Sequence, residues 1–123
     1  MAETWHVSKL DVDIHYIDDI PIIEAKGECD LITSRKLKEA ADNLLETGRN
    51  KIIFDLRNMV YIDSAGFRVL LDTKNRATEK GGDIVLVSLT EPVDRAFKLL
   101  RLDELIIRAE TIEEAIKHLK SIA

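Results

Sequence analysis

One cysteine, Cys29, is present in 123 residues, so an internal disulfide is excluded and a cysteine-built zinc cage lacks its ligands. Such usage fits a reducing compartment. Of the three histidines, His6, His15 and His118, no two stand at metal-ligand spacing, and no metal or other cofactor is expected. Apolar runs are short, and none nears the roughly 18 residues that a membrane-spanning helix needs. The stretch from Met1 to Tyr16 is acidic and alternating, without the basic start and continuous apolar run of a signal peptide. A cytoplasmic protein without membrane insertion is the expectation. Basic charge is in deficit as well, with 18 Lys and Arg against 23 Asp and Glu and a net charge of −5. Nucleic-acid affinity rests on clustered cations that release counterions, so no nucleic acid is expected as a partner. A Walker-type phosphate loop is missing, and Gly81-Gly82 reads as a helix stop.

What is present suffices for a packed core. The chain is 46% hydrophobic and 33% charged, which fits one ordinary domain over residues 1–123, with no repeat, linker or low-complexity segment. Leu10, Val12, Ile14 and Tyr16 alternate with Asp11, Asp13 and His15, the period of a strand with one buried face. After Asp18-Asp19, Ile20 to Lys26 supplies a second strand and completes a hairpin, with Pro21 at its start or on an edge. Leu37, Ala40, Ala41, Leu44 and Leu45 then repeat at helical spacing, with Thr33 or Ser34 as cap and Gly48 past the end. Lys51 to Leu56 reads as a strand covered on both faces, at the centre of the sheet. Met59 to Asp63 reads as a loop. From Ser64, the residues Phe67, Leu70, Leu71 and Ala77 define a second helix, and Asp83 to Leu89 another buried strand. Thr90-Glu91-Pro92 gives a cap and first turn to a helix with a stripe of Val93, Ala96, Phe97 and Leu100. Leu105 to Arg108 suits a last short strand. Thr111 to Glu114 has capping-box spacing before Ile112, Ala115, Ile116 and Leu119. The fold class is therefore α/β: an N-terminal β-hairpin joined to a mixed sheet with parallel inner strands and about four amphipathic helices. Periodicity alone leaves open whether the helices cover one face or both.

The segment from Val60 to Phe67 places a hydroxyl, Ser64, where a strand has ended and a helix begins. Helix starts carry free N–H groups and partial positive charge. A serine there either caps the helix or accepts a phosphate that the same N–H groups and dipole tolerate. Gly66 either keeps the helix start open or packs tightly against the neighbouring strand. Asp63 either orients the hydroxyl, faces a partner's cation, or simply forms a turn. A nucleophilic serine would need an adjacent base, and Ser64 does not sit in a G-x-S-x-G elbow. The histidines read as surface residues, so no enzyme is expected.

The ordered set Gly27-Glu28-Cys29-Asp30, Ile52-Ile53-Phe54-Asp55-Leu56 and Tyr61-Ile62-Asp63-Ser64-Ala65-Gly66 resembles the STAS domain of bacterial anti-sigma-factor antagonists, over nearly the whole chain. The resemblance implies a STAS-like fold and a protein-binding switch. Ser64 would be phosphorylated by an anti-sigma factor that is also a serine kinase, and a serine phosphatase would reverse the modification. It also implies that Asp30 lies close to Ser64, giving a partner-binding group of Asp30, Asp63, Ser64, Ala65, Gly66 and Arg68. The chain departs from the family pattern at Phe67-Arg68, at Arg57-Asn58-Met59 and at Cys29. Related domains also serve as scaffolds in stress-sensing assemblies or as accessory subunits of lipid-transport complexes, and in those Ser64 would be only a cap.

Overall fold

β1 (Leu10–Ile17) and β2 (Ile20–Cys29) pair antiparallel, in a register running from Leu10 opposite Gly27 to Ile17 opposite Ile20. The structure, a computed structural model, describes residues 7–122, so His6 lies outside the described residues. Asp18 and Asp19 form the two-residue turn with φ of 52° and 67°. Two successive left-handed residues are what a type I′ hairpin turn requires, and aspartate tolerates that region. The apolar face of β1 is buried only where the helices reach it: Leu10 is buried, whereas Ile14 and Tyr16 are exposed.

β3 (Lys51–Asp55) occupies the sheet centre, parallel to β2 on one side and to β5 (Asp83–Val87) on the other. β6 (Ile107–Ala109) runs parallel to β5 and closes the far edge. Strand periodicity divides the interior into two cores. Ile52, Phe54, Ile84 and Leu86 point to one side, while Ile53, Val85 and Val87 point to the other. α1 (Ser34–Glu46), α2 (Ser64–Glu79) and α3 (Glu91–Leu99) cover the first side, bringing Leu37, Leu70 and Phe97. α4 (Ile112–Lys120) covers the second with Ala115, Ile116 and Leu119. Both faces are therefore buried, which explains the unbroken apolar runs of β3 and β5. Gly48 and Gly81, with φ of 84° and 81°, end α1 and α2 in left-handed turns. In each, the following N–H reaches back to the last full turn, Arg49 to Leu44 and Gly82 to Ala77, both at 2.8 Å.

Several sequence expectations need correction. Met59–Ile62 is a strand, β4, that pairs with β2 in parallel beyond the end of β3. Its Met59 and Ile62 are buried but Val60 and Tyr61 are not, so neither period was visible. Gly27, at φ 117°, marks the irregularity where β2 changes partner, a bend that only glycine makes without strain. Leu100 lies past the end of α3 and is exposed, and so is Leu105, with the last strand starting only at Ile107. Thr90 stands at the α3 cap position, yet its hydroxyl donates to the Met59 carbonyl at 2.7 Å rather than capping. Thr111 does cap α4, accepting from Glu114 N–H at 3.1 Å, but the Glu114 carboxylate accepts from Glu110 N–H and not from Thr111.

Candidate functional site

Cys29 at the end of β2 pairs with Ile62 at the end of β4, so the next residues, Asp30 and Asp63, leave the sheet together. Asp63 N–H donates to the Cys29 carbonyl at 3.0 Å. Each aspartate then organises a helix start. Asp30 Oδ1 accepts from the N–H groups of Ile32 and Thr33, both at 2.9 Å, and the Asp30 carbonyl accepts from Ser34 N–H at 2.9 Å. Asp63 Oδ1 accepts from Ala65 N–H at 2.9 Å and Gly66 N–H at 3.3 Å, and the Asp63 carbonyl accepts from Phe67 N–H at 3.1 Å. At Asp63 this is helix capping, which satisfies donors that a helix leaves free, whereas at Asp30 the bonded N–H groups belong to the turn before α1. Neither Thr33 nor Ser34 caps α1. The buried Thr33 hydroxyl donates to the Glu28 carbonyl at 2.6 Å and accepts from Asp30 N–H at 2.9 Å, which locks the turn from below.

The hydrogen bonds around Asp30 hold its carboxyl down to about 2, the Thr33 N–H contributing most. Cys29, buried beneath both turns, is affected in the opposite sense. Its thiol is pushed up to about 12, first by burial, then by the Asp63 and Asp30 carboxylates.

Ser64 follows Asp63 as the first residue of α2 and is exposed. Because Asp63 supplies the cap, Ser64 does not, and its hydroxyl makes no hydrogen bond among the described residues. Two of the N–H groups that a phosphate at this helix start would use are thus already bonded to Asp63. Gly66 is buried, and a Cβ there would stand 2.6 Å from Ile62 Cγ1 and 2.8 Å from Cys29 Sγ. Tight packing, not openness, is what this glycine provides. Phe67 also turns inward, meeting Phe97 edge to face at 5.1 Å and fixing the start of α2 against α3. Ala65 is half-buried, and Arg68 is exposed. One helical turn after Ser64, Arg68 shares its face of α2 and makes no ion pair among the described residues.

Sequence reasoning missed the apolar part of this surface. Leu31 and Ile32, in the turn held by Asp30, are 70% and 67% exposed, and Val60 and Tyr61 on β4 are 58% and 49% exposed. Tyr61 pairs with Glu28, so these residues lie at the same end of the sheet as Ser64. The available signal was Leu31-Ile32 itself, two large apolar residues placed before the helical stripe begins. The described histidines lie elsewhere. His15 is exposed on β1, while His118 is half-buried with Nε2 at 3.7 Å from the buried Asp83 carboxylate, a correction to its reading as a plain surface residue. No group of three or more His, Cys, Asp or Glu that could hold a metal ion occurs among the described residues, and no helix there is long and apolar enough to cross a membrane.

The fold that carries this site, a parallel strand pair feeding two helix starts, has known counterparts. Residues 11–116 match the STAS domain, and the chain belongs to that family. A Thermotoga maritima protein described as an anti-sigma factor antagonist is 30% identical over 105 residues, covering 85% of this chain and 93% of its own. The crystal structure of an anti-sigma factor antagonist from Mycobacterium paratuberculosis superposes with a TM-score of 0.83 at 18% identity, covering 92% of this chain and 96% of that one. The phosphorylated form of Bacillus SpoIIAA has the same fold, with a TM-score of 0.69 at 19% identity, covering 88% and 98%.

Proposed function

We propose that this chain is an anti-sigma-factor antagonist, a single STAS domain acting as a binding switch rather than as an enzyme. Unmodified, it binds an anti-sigma factor that is also a serine kinase, and a sigma factor is released. Phosphorylation of Ser64 breaks that complex and a serine phosphatase restores it. One observation carries the reading: Asp63 does the capping, so the exposed Ser64 hydroxyl has no structural work among the described residues and is free for modification. The relatives described as anti-sigma factor antagonists support the partner class.

The geometry suggests how a phosphate would act. It adds about −1.5 to −2 charges at neutral pH. With the nearest N–H groups held by Asp63, the added charge projects outward beside two carboxylates and changes the surface more than the fold. At an effective dielectric near 20, a unit charge about 5 Å away contributes about 3 kcal/mol. A loss of that size weakens a complex about a hundredfold. Leu31, Ile32 and Tyr61 supply the apolar contact that such a complex needs at its centre.

The test has two parts. After incubation with ATP and a candidate kinase-type anti-sigma factor, mass spectrometry should map one added phosphate to Ser64. In a binding titration, Ser64→Ala should bind that partner like the unmodified protein and Ser64→Glu much more weakly. Equal affinity of the two variants would sink the proposal.

A further inference from the structure

The edge strand β1 bonds to the rest of the sheet through one side alone. Because Ile17 and Ile20 flank a two-residue turn, they form a hydrogen-bonded pair, and the pattern alternates from there. Two contacts agree with this phase. Lys9 carbonyl, in step with Ile17, accepts from Glu28 N–H at 2.8 Å, and Pro21, which has no N–H, falls opposite Tyr16 at a non-bonded pair. Leu10, Val12, Ile14 and Tyr16 therefore direct their N–H and carbonyl groups away from β2, and β1 pairs with no other described strand. Such an edge pairs readily with another strand.

We propose that β1 pairs antiparallel with β1 of a second copy, about a two-fold axis through Ile14, joining two sheets into one. Three features select this register. Centring on Ile14 sets Val12 opposite Tyr16 of the second copy and Ile14 opposite itself, an apolar row on the α1 side. It also sets Asp13 opposite His15 of the second copy, at a non-bonded pair where side chains stand closest. Asp13 lies across from Glu24 in its own sheet and makes no ion pair among the described residues, so a donor from the imidazole meets an unopposed acidic pair. Shifting the centre one residue toward the N-terminus faces Asp13 against Asp13, which like charges oppose. That shift also needs the Leu10 carbonyl, which already accepts from Lys36 Nζ at 3.1 Å. The opposite shift shortens the paired stretch. A shallow groove runs along this edge, its lining including Val12 and Ile14 of β1 and Lys36, Glu39 and Ala40 of α1.

Sedimentation of the full chain over a range of concentrations should show a monomer–dimer equilibrium. A monomer at every concentration up to about 1 mM overturns the proposal. His15→Asp should raise the dissociation constant about tenfold or more by placing like charges opposite each other, with an unchanged circular dichroism spectrum. Register is read by crosslinking. Under oxidation, Asp13→Cys mixed with His15→Cys should give a disulfide-linked dimer, while neither variant links to itself. Self-linkage of Asp13→Cys or of His15→Cys instead reports one of the shifted registers and refutes the pairing centred on Ile14. The buried Cys29 thiol does not confuse the readout.

Discussion

The starts of α1 and α2 are built alike and finished differently. Both follow a strand of the same parallel pair, and in both an aspartate accepts from two backbone N–H groups: Asp30 in the turn that precedes α1, Asp63 as the cap of α2. At Asp30 three residues intervene before α1, the buried Thr33 pins the turn, and Leu31 and Ile32 are held outward. At Asp63 the helix begins at once, and the first side chain presented is a hydroxyl. One start thus presents exposed apolar side chains, and the other an exposed hydroxyl. Under the proposed function, affinity and control fall to different residues, so control would change without disturbing the apolar contact.

The largest effect should come from forcing the two starts apart. Gly66→Val inserts atoms into space already occupied by Ile62 and Cys29, and overpacking of this kind costs about 1–3 kcal/mol. Chemical denaturation should show a loss at the upper end of that range, with Gly66→Ala losing less because it recovers about 1 kcal/mol of helix propensity. Next in size, under the proposed function Leu31→Ser and Ile32→Ser should each weaken binding to the proposed anti-sigma-factor partner about tenfold, as truncation of an apolar contact at an interface does. Stability should shift by no more than about 0.5 kcal/mol, since both side chains are exposed. Unchanged affinity in both variants would show that the Asp30 turn stands outside the interface, whatever Ser64 does.

Much of this was legible in the sequence, for reasons that differ between regions. The hairpin, the central β3 and β5 and the stripe of α1 follow from alternation and helical spacing, because each buries one consistent set of positions. β4 was illegible since four residues with buried ends show no period, and its pairing depends on where β2 bends at Gly27. At the site, Ser64 was identifiable from the motif, but which residue caps the helix was not. Asp63 and Ser64 are neighbours with equal capping ability, and only the backbone of Asp63, with φ −111° and ψ −172°, decides between them. Leu31 and Ile32 were passed over because an apolar residue outside a periodic stripe carries no sign of its exposure.

A smaller effect concerns Asp30 and pH. The folded carboxyl of Asp30 titrates near 2 rather than at its ordinary 3.8, so the unfolded chain binds the proton first as pH falls. The stability from this group is present above about 4 and is lost as pH falls toward 2. Denaturation midpoints measured across that window should fall for the unmodified protein and fall less steeply for Asp30→Asn.

The smallest expected effect concerns the thiol beneath both turns. Cys29 titrates near 12 in the folded protein against 9.0 ordinarily, so the native state keeps a proton that the unfolded chain gives up. Stability from this source is complete below about 9 and declines as pH rises toward 12, a decline that Cys29→Ala should remove. The thiolate is the reactive form, so at pH 8 a disulfide reagent should label the native protein far more slowly than the denatured one. Labelling should quicken in Gly66→Val, where the packing over the sulfur is disturbed. Native labelling as fast as that of the denatured chain would mean that the two helix starts do not close over this thiol, and the comparison between them would lose its shared base.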